Sequence, residues 1–119
     1  MAKNLIIEKS DLLAHRVYEV TKDFPREEIY GITSQLRRAS LSVPLNAVEG
    51  YARNSDKSHK QFLLISYGSL KETKYLLHFC LKEDLISENQ YKELIFIAEE
   101  VGKLLWSAIS RMKVKIEEC

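Results

Sequence analysis

Apolar residues recur through the middle of the chain at Ile32, Leu36, Ala39, Val43 and Ala47, stepping by four, three, four and four. That spacing places them on one face of an α-helix. A polar stripe of Gln35, Arg38, Ser42, Asn46, Glu49 and Arg53 runs beside it. Pro44 interrupts the pattern. It has no N–H, and its ring crowds the carbonyl of Ser40, so a bend is expected, with the Ser40 or Ser42 hydroxyl satisfying freed backbone groups.

The flanking segments read the same way. Residues 1–9 form a lead-in, with Leu5, Ile6 and Ile7 able to pack on the core. Ser10 is the expected N-cap of a first helix over about 11–22, where Leu13, Val17, Val20 and Phe24 form the core stripe. Pro25 disfavours helix in the residue before it, so this helix ends near Asp23. The second helix spans about 28–52. Ser55 can cap a third over about 56–82. Ser87 and Gln90 fit a capping box opening a fourth over about 88–115, whose seam is Tyr91, Leu94, Ala98, Val101, Leu105, Ala108 and Met112. Residues 116–119 are expected to fray.

Four helices joined by short turns make antiparallel neighbours. The expected fold is one all-α domain, an up-down-up-down four-helix bundle. A chain of 119 residues with only four Gly and two Pro suits that architecture. The third helix is apolar almost all round, through Phe62, Leu63, Leu64, Ile65, Tyr67, Leu70, Tyr75, Leu76, Leu77, Phe79, Cys80 and Leu81. One face can meet the other helices and the other needs a partner chain, so a homo-oligomer is expected. Gly68, Ser66, Ser69 and Thr73 are small enough to let a neighbouring helix approach.

The net charge of +1 gives no global pull toward nucleic acid or membrane, so such contacts must come from a local patch or from assembly. Two cysteines are too few for a disulfide framework. Cys80 reads as a core thiol and Cys119 as terminal. No apolar signal core opens the chain and no run reaches membrane-spanning length, which points to a reduced, cytoplasmic protein.

Phe24-Pro25, Tyr30 to Gln35, Arg37-Arg38-Ala39, Val43 to Asn46 and Val48-Glu49-Gly50, followed by Phe62-Leu63 and Gly68 to Glu72, resemble the signature of the bacterial four-helix-bundle proteins called S23 or 23S rRNA intervening-sequence proteins. The resemblance spans roughly Asp11 to Met112. It implies a four-helix fold, assembly into ring-like homopentamers and an association with ribosomal RNA genes, but no chemistry. It also implies that Gly31, Ser34, Gln35, Pro44, Asn46, Glu49 and Gly50 act in structure or at an interface. In fold it extends to accessory proteins of diversity-generating retroelements, whose similar rings assist a reverse transcriptase by binding nucleic acid. RNA or DNA and a reverse transcriptase are thus expected partners beside the chain itself.

Catalytic patterns are sparse. His15, His59 and His78 lack the spacing of a metal site, and neither H-E-x-x-H nor paired C-x-x-C occurs, so no metal or cofactor is expected. No serine stands in G-x-S-x-G or S-x-x-K. Arg53 followed by His59 is similar to the HEPN ribonuclease motif, in which the Arg holds the phosphate and the His moves a proton. His59 otherwise reads as a surface histidine.

Basic residues are the better candidates. Arg37, Arg38, Arg53, Lys57 and Lys60 are the expected nucleic-acid contacts, with Lys71 and Lys74 on the third helix and Arg111, Lys113 and Lys115 on the fourth as further clusters. Arg37 is expected to face solvent, while Arg38 lies nearer the apolar stripe and can anchor a polar network with Ser34 and Ser42. Glu49 with Arg53, and Glu99 with Lys103, are expected intrahelical pairs. The reading is a non-enzymatic ring that binds RNA or DNA through repeated basic patches. The alternatives are a structural oligomer with a protein partner, and a HEPN-like ribonuclease.

Overall fold

A computed structural model describes residues 4–112. It contains four α-helices: α1 (Leu5–Thr21), α2 (Ile32–Tyr51), α3 (Asp56–Lys82) and α4 (Glu88–Arg111). A 3₁₀ turn at Arg26–Glu28 lies between α1 and α2. Expectations for Lys113, Lys115, Cys119 and the end of the fourth helix fall outside the described residues.

Each helix packs on the next and α4 closes on α1, while no Cα atoms of the diagonal pairs come within 8 Å among the described residues. Neighbours run antiparallel. Ser66 and Ser69 of α3 meet Val43 and Ser42 of α2, Lys9 and Arg16 of α1 meet Glu100 and Glu93 of α4, and Tyr67 and Lys74 of α3 meet Trp106 and Glu99 of α4. Position rises along one helix as it falls along its neighbour. The enclosed core includes Leu13, Val17, Leu36, Val43, Leu63, Leu70, Leu77, Leu94 and Leu105.

Hydroxyl residues complete the buried stripes. Ile6, Ser10, Leu13, Val17 and Thr21 form one face of α1. Ser10 is therefore no N-cap. Its side chain is buried, and its hydroxyl donates to the Ile6 carbonyl at 2.6 Å. The cap is Asn4, whose Oδ1 accepts the Ile7 N–H at 3.1 Å. On α3 the stripe is Leu63, Ser66, Leu70, Thr73, Leu77 and Cys80. With the two hydroxyls counted, α3 has one ordinary core face, packed most closely on α2 and α4. Opposite it, Leu64, Ile65, Tyr75 and Phe79 remain exposed.

The second helix begins at Ile32, where its apolar stripe begins, and not near residue 28. Pro25 starts the 3₁₀ turn, the Glu28 N–H donates to the Pro25 carbonyl at 3.0 Å, and Gly31 is the N-cap of α2. The helix then runs unbroken through the buried Pro44. The hydroxyls near the proline do not serve it. Ser40 Oγ donates to the Arg37 carbonyl at 3.1 Å, and Ser42 Oγ pairs with Ser69 Oγ at 2.8 Å. Both later caps are as expected: Ser55 Oγ accepts from Ser58, and Ser87 and Gln90 form the reciprocal capping box.

Candidate functional site

The residues that carry the sequence motif line the outer seam between α2 and α3. Gln35, Arg38, Ala39 and Ser42 of α2 and Ser69 and Glu72 of α3 enclose a notch of about 150 Å³. Next to it the Asn46 amide donates to the Ser42 carbonyl at 2.9 Å and to Ser42 Oγ at 2.8 Å, and that oxygen also pairs with Ser69. Beneath this network Ser66 Oγ donates to the Val43 carbonyl at 2.7 Å. Gly50 lets the two helices close at their joined end: a Cβ there would lie 3.2 Å from the His59 carbonyl and 3.2 Å from Phe62 Cβ. Ser42, Asn46, Pro44 and Gly50 are thus tied into helix packing. Gly31 caps α2, and Ser34 and Gln35 are exposed on its first turns.

The two adjacent arginines take the opposite roles to those expected. Arg37 turns toward α1, where its Nε donates to Thr21 Oγ1 at 2.7 Å and its guanidinium lies 4.5 Å from the centre of the Tyr18 ring. Arg38 is exposed and has no hydrogen bond or ion pair among the described residues. It stands beside the Ser42 network without joining it. Thr33, at the start of the same helix, is buried with its hydroxyl unpaired.

At the α2–α3 turn, Arg53 pairs with Glu49 at 2.9 Å, as expected, and its guanidinium lies 4.5 Å from the centre of the Phe62 ring. Lys57 is exposed and Lys60 half-buried, and neither has an ionic partner among the described residues. These three cations lie about 22 Å along the bundle from Arg37 and Arg38, taking 1.5 Å per helical residue. The five basic candidates therefore form two separate groups. The turn also belongs to the more basic end of the bundle, with Arg111 nearby at the end of α4. The other end mixes Asp23, Glu27, Glu28, Glu83, Asp84, Glu88 and Glu93 with Lys22, Arg26, Lys82 and Lys92.

His59 is half-buried and not the surface residue expected. Its ring packs edge-on against Tyr51 with centroids 4.6 Å apart, and its Nε2 is buried without a partner. No hydrogen bond joins it to Arg53, whose guanidinium is held by Glu49 and Phe62. The described residues contain no cluster of His, Cys, Asp and Glu able to hold a metal, and no helix long and apolar enough to cross a membrane. Cys80 is buried; burial and, less, the nearby Glu28 carboxylate push its thiol up to about 11.

One constellation was not foreseen. Tyr67, Lys71 and Lys74 of α3 face Glu99, Lys103 and Trp106 of α4 across an open cleft of about 350 Å³. Glu99 does not pair within its own helix with Lys103; its carboxylate meets Lys74 of α3 at 2.6 Å. The sequence signal was the matching step of four and three on each helix, visible only once the register of α3 against α4 is known.

A model of the 23S rRNA-intervening sequence protein family matches residues 2–107. Among solved structures, the chain is similar to a crystal structure of a protein of unknown function from the S23 ribosomal protein family of Bacteroides thetaiotaomicron. The two share 26% identity over 90% of this chain and 96% of that one, with a TM-score of 0.84. No curated protein matches the chain.

Proposed function

The chain belongs to the 23S rRNA-intervening sequence protein family, and from that premise we propose that it is a non-enzymatic, ring-forming bundle that binds RNA or DNA through basic patches. The observation that carries this reading is the group of cations at the α2–α3 turn. Lys57 and Lys60 stand without ionic partners among the described residues beside Arg53. A nearly neutral chain with such a cluster can offer phosphates a local positive surface. Of the two arginines expected as contacts, Arg38 is the one exposed beside the α2–α3 seam, while Arg37 is held against α1. In a ring each patch is repeated, and several weak contacts act together.

Ring assembly is supported by apolar side chains left outside the bundle. Leu64, Ile65, Tyr75 and Phe79 form a second face on α3, and Leu41, Leu45 and Val48 another on α2. Gly68 lies on the outer side of α3 with open space where a Cβ would stand, which suits the approach of a second helix. The same face favours a second reading, a structural oligomer that docks a protein such as a reverse transcriptase. In either case we place the protein in the reducing cytoplasm.

The test is a titration of purified protein against labelled structured RNA and duplex DNA at low and near-physiological salt, with particle mass measured by light scattering. Retardation that fades as salt rises, without cleavage, and that weakens in a Lys57→Ala/Lys60→Ala variant, is the expected result. No retardation at low salt overturns nucleic-acid binding and turns the search to protein partners. Cut RNA overturns the non-enzymatic reading.

A further inference from the structure

We propose that the cleft between α3 and α4 is a stacking site for an unpaired nucleobase: Trp106 and Tyr67 receive the base, and Lys71, Lys74 and Lys103 hold its flanking phosphates. The proposal rests on the nucleic-acid reading above but uses none of the residues of that basic end.

The aromatic pair forms the platform. The Tyr67 and Trp106 rings lie with centroids 5.3 Å apart and planes tilted by 40°. Trp106 is 52% exposed, so much of its indole is open to a ligand. Every base has a π-face that such a ring can stack on, whatever the sequence. Gly102 of α4 also lines the cleft and adds no side chain to it.

The charges around the platform favour an anion. Three ammonium groups, Lys71, Lys74 and Lys103, share the cleft with one carboxylate, Glu99. Lys74 is paired to that carboxylate at 2.6 Å. The hydrogen bond and charge of Lys74 hold the Glu99 carboxyl below its usual range against a smaller opposing desolvation, and Lys103 and then Lys71 add weaker pulls in the same direction as Lys74. All three cations thus act on one small volume. Lys71 lies 5.3 Å from the centre of the Tyr67 ring, poised beside the aromatic surface. After the Lys74–Glu99 pair, the ammonium groups of Lys71 and Lys103 have no ionic partner among the described residues. An acidic peptide would satisfy the lysines and leave the indole face bare. A nucleotide supplies both a flat π-system and phosphate.

Trp106 is the only tryptophan in the chain, so its emission reports on this cleft directly. Full-length protein is titrated with a short oligodeoxythymidylate, with inorganic tripolyphosphate and with an oligoglutamate peptide. Saturable quenching by the oligonucleotide alone is expected. Trp106→Ala should weaken binding of the end-labelled oligonucleotide, read by anisotropy, roughly ten-fold, with Trp106→Phe retaining most of it. Lys103→Ala should weaken it several-fold and flatten its salt dependence.

Absence of oligonucleotide quenching, equal quenching by oligoglutamate, or an indole shielded from iodide in the free protein would each overturn the stacking site. If structured RNA is still retarded in a manner sensitive to Lys57 and Lys60, the stacking site alone has failed. If retardation is lost as well, the nucleic-acid reading has failed with it.

Discussion

One helix, α3, presents two unlike sides. Toward α2 it offers Ser66, Ser69 and Thr73, and α2 answers with Ala39, Ser42, Ala47 and Gly50. Toward the outer edge of α4 it offers Tyr67, Lys71 and Lys74, answered by Glu99, Lys103 and Trp106. The first side closes: its hydroxyls bond to backbone carbonyls or to each other, and a missing Cβ at Gly50 brings backbone against backbone. The second stays open, because long side chains lay their carbon stems on the protein and keep their charged tips in water. Short polar residues become core when their hydrogen bonds turn inward; long ones make a surface that can still bind.

The most severe way to test the closed side is Gly50→Val. Its Cβ would press on a helix backbone and on the Phe62 Cβ, neither of which can rotate away. We expect a loss of about 3 kcal/mol, at the upper end for overpacking, measured by urea unfolding. A loss below about 1 kcal/mol would show that α2 and α3 slide apart easily and that the seam is no tighter than the cleft.

Cys80 tests whether the closed side is dry. Its thiol is pushed up to about 11 from an ordinary 9.0, first by burial and then by Glu28. As pH rises past 9.0 the unfolded chain loses this proton first, so the folded state holds more protons and stability falls until about 11. Cys80→Ala should lose that part of the alkaline decline, read from urea midpoints across this range. With Cys119 replaced by Ser, a thiol reagent at neutral pH should react with Cys80 only as fast as the protein opens. Prompt labelling would mean that water already reaches the inner face of α3.

Ser66→Ala is the milder probe. It removes a buried hydroxyl bonded at 2.7 Å to Val43. The expected cost is about 1 kcal/mol, the usual net value of one such bond.

The same contrast explains what could be read from the sequence. Apolar steps revealed the stripes of α2 and α4, because Leu36, Ala39, Val43 and Ala47, and Leu94, Ala98, Val101 and Leu105, are all buried. The start of α1 and the core face of α3 were hidden because Ser10, Ser66 and Thr73 hold core positions while reading as polar. Their burial depends on hydrogen bonds back into a helix, which no periodicity displays. Arg37 and Arg38 differ by one helical step. Which of them is captured depends on where Thr21 and Tyr18 of α1 fall, a fact of helix register. The Tyr67–Trp106 cleft was hidden for the same reason: each half is unremarkable until α3 and α4 are aligned.

The smallest expected effect carries the most information about the open side. Gly102, like Gly50, faces α3, but a Cβ there would meet only Leu70 Cδ2, at 3.3 Å. That atom is the far end of a side chain, and a small rotation relieves the contact. Alanine in a helix interior is favoured over glycine by about 1 kcal/mol, and part of that gain should survive the adjustment. Gly102→Ala is therefore expected to raise stability by roughly 0.5 kcal/mol, the opposite sign to substitution at Gly50. If it instead costs more than about 1 kcal/mol, Leu70 cannot yield and α4 sits on α3 as tightly as α2 does. The open cleft would then be confined to the lysines and Trp106 at its rim, and its depth would owe nothing to the glycine.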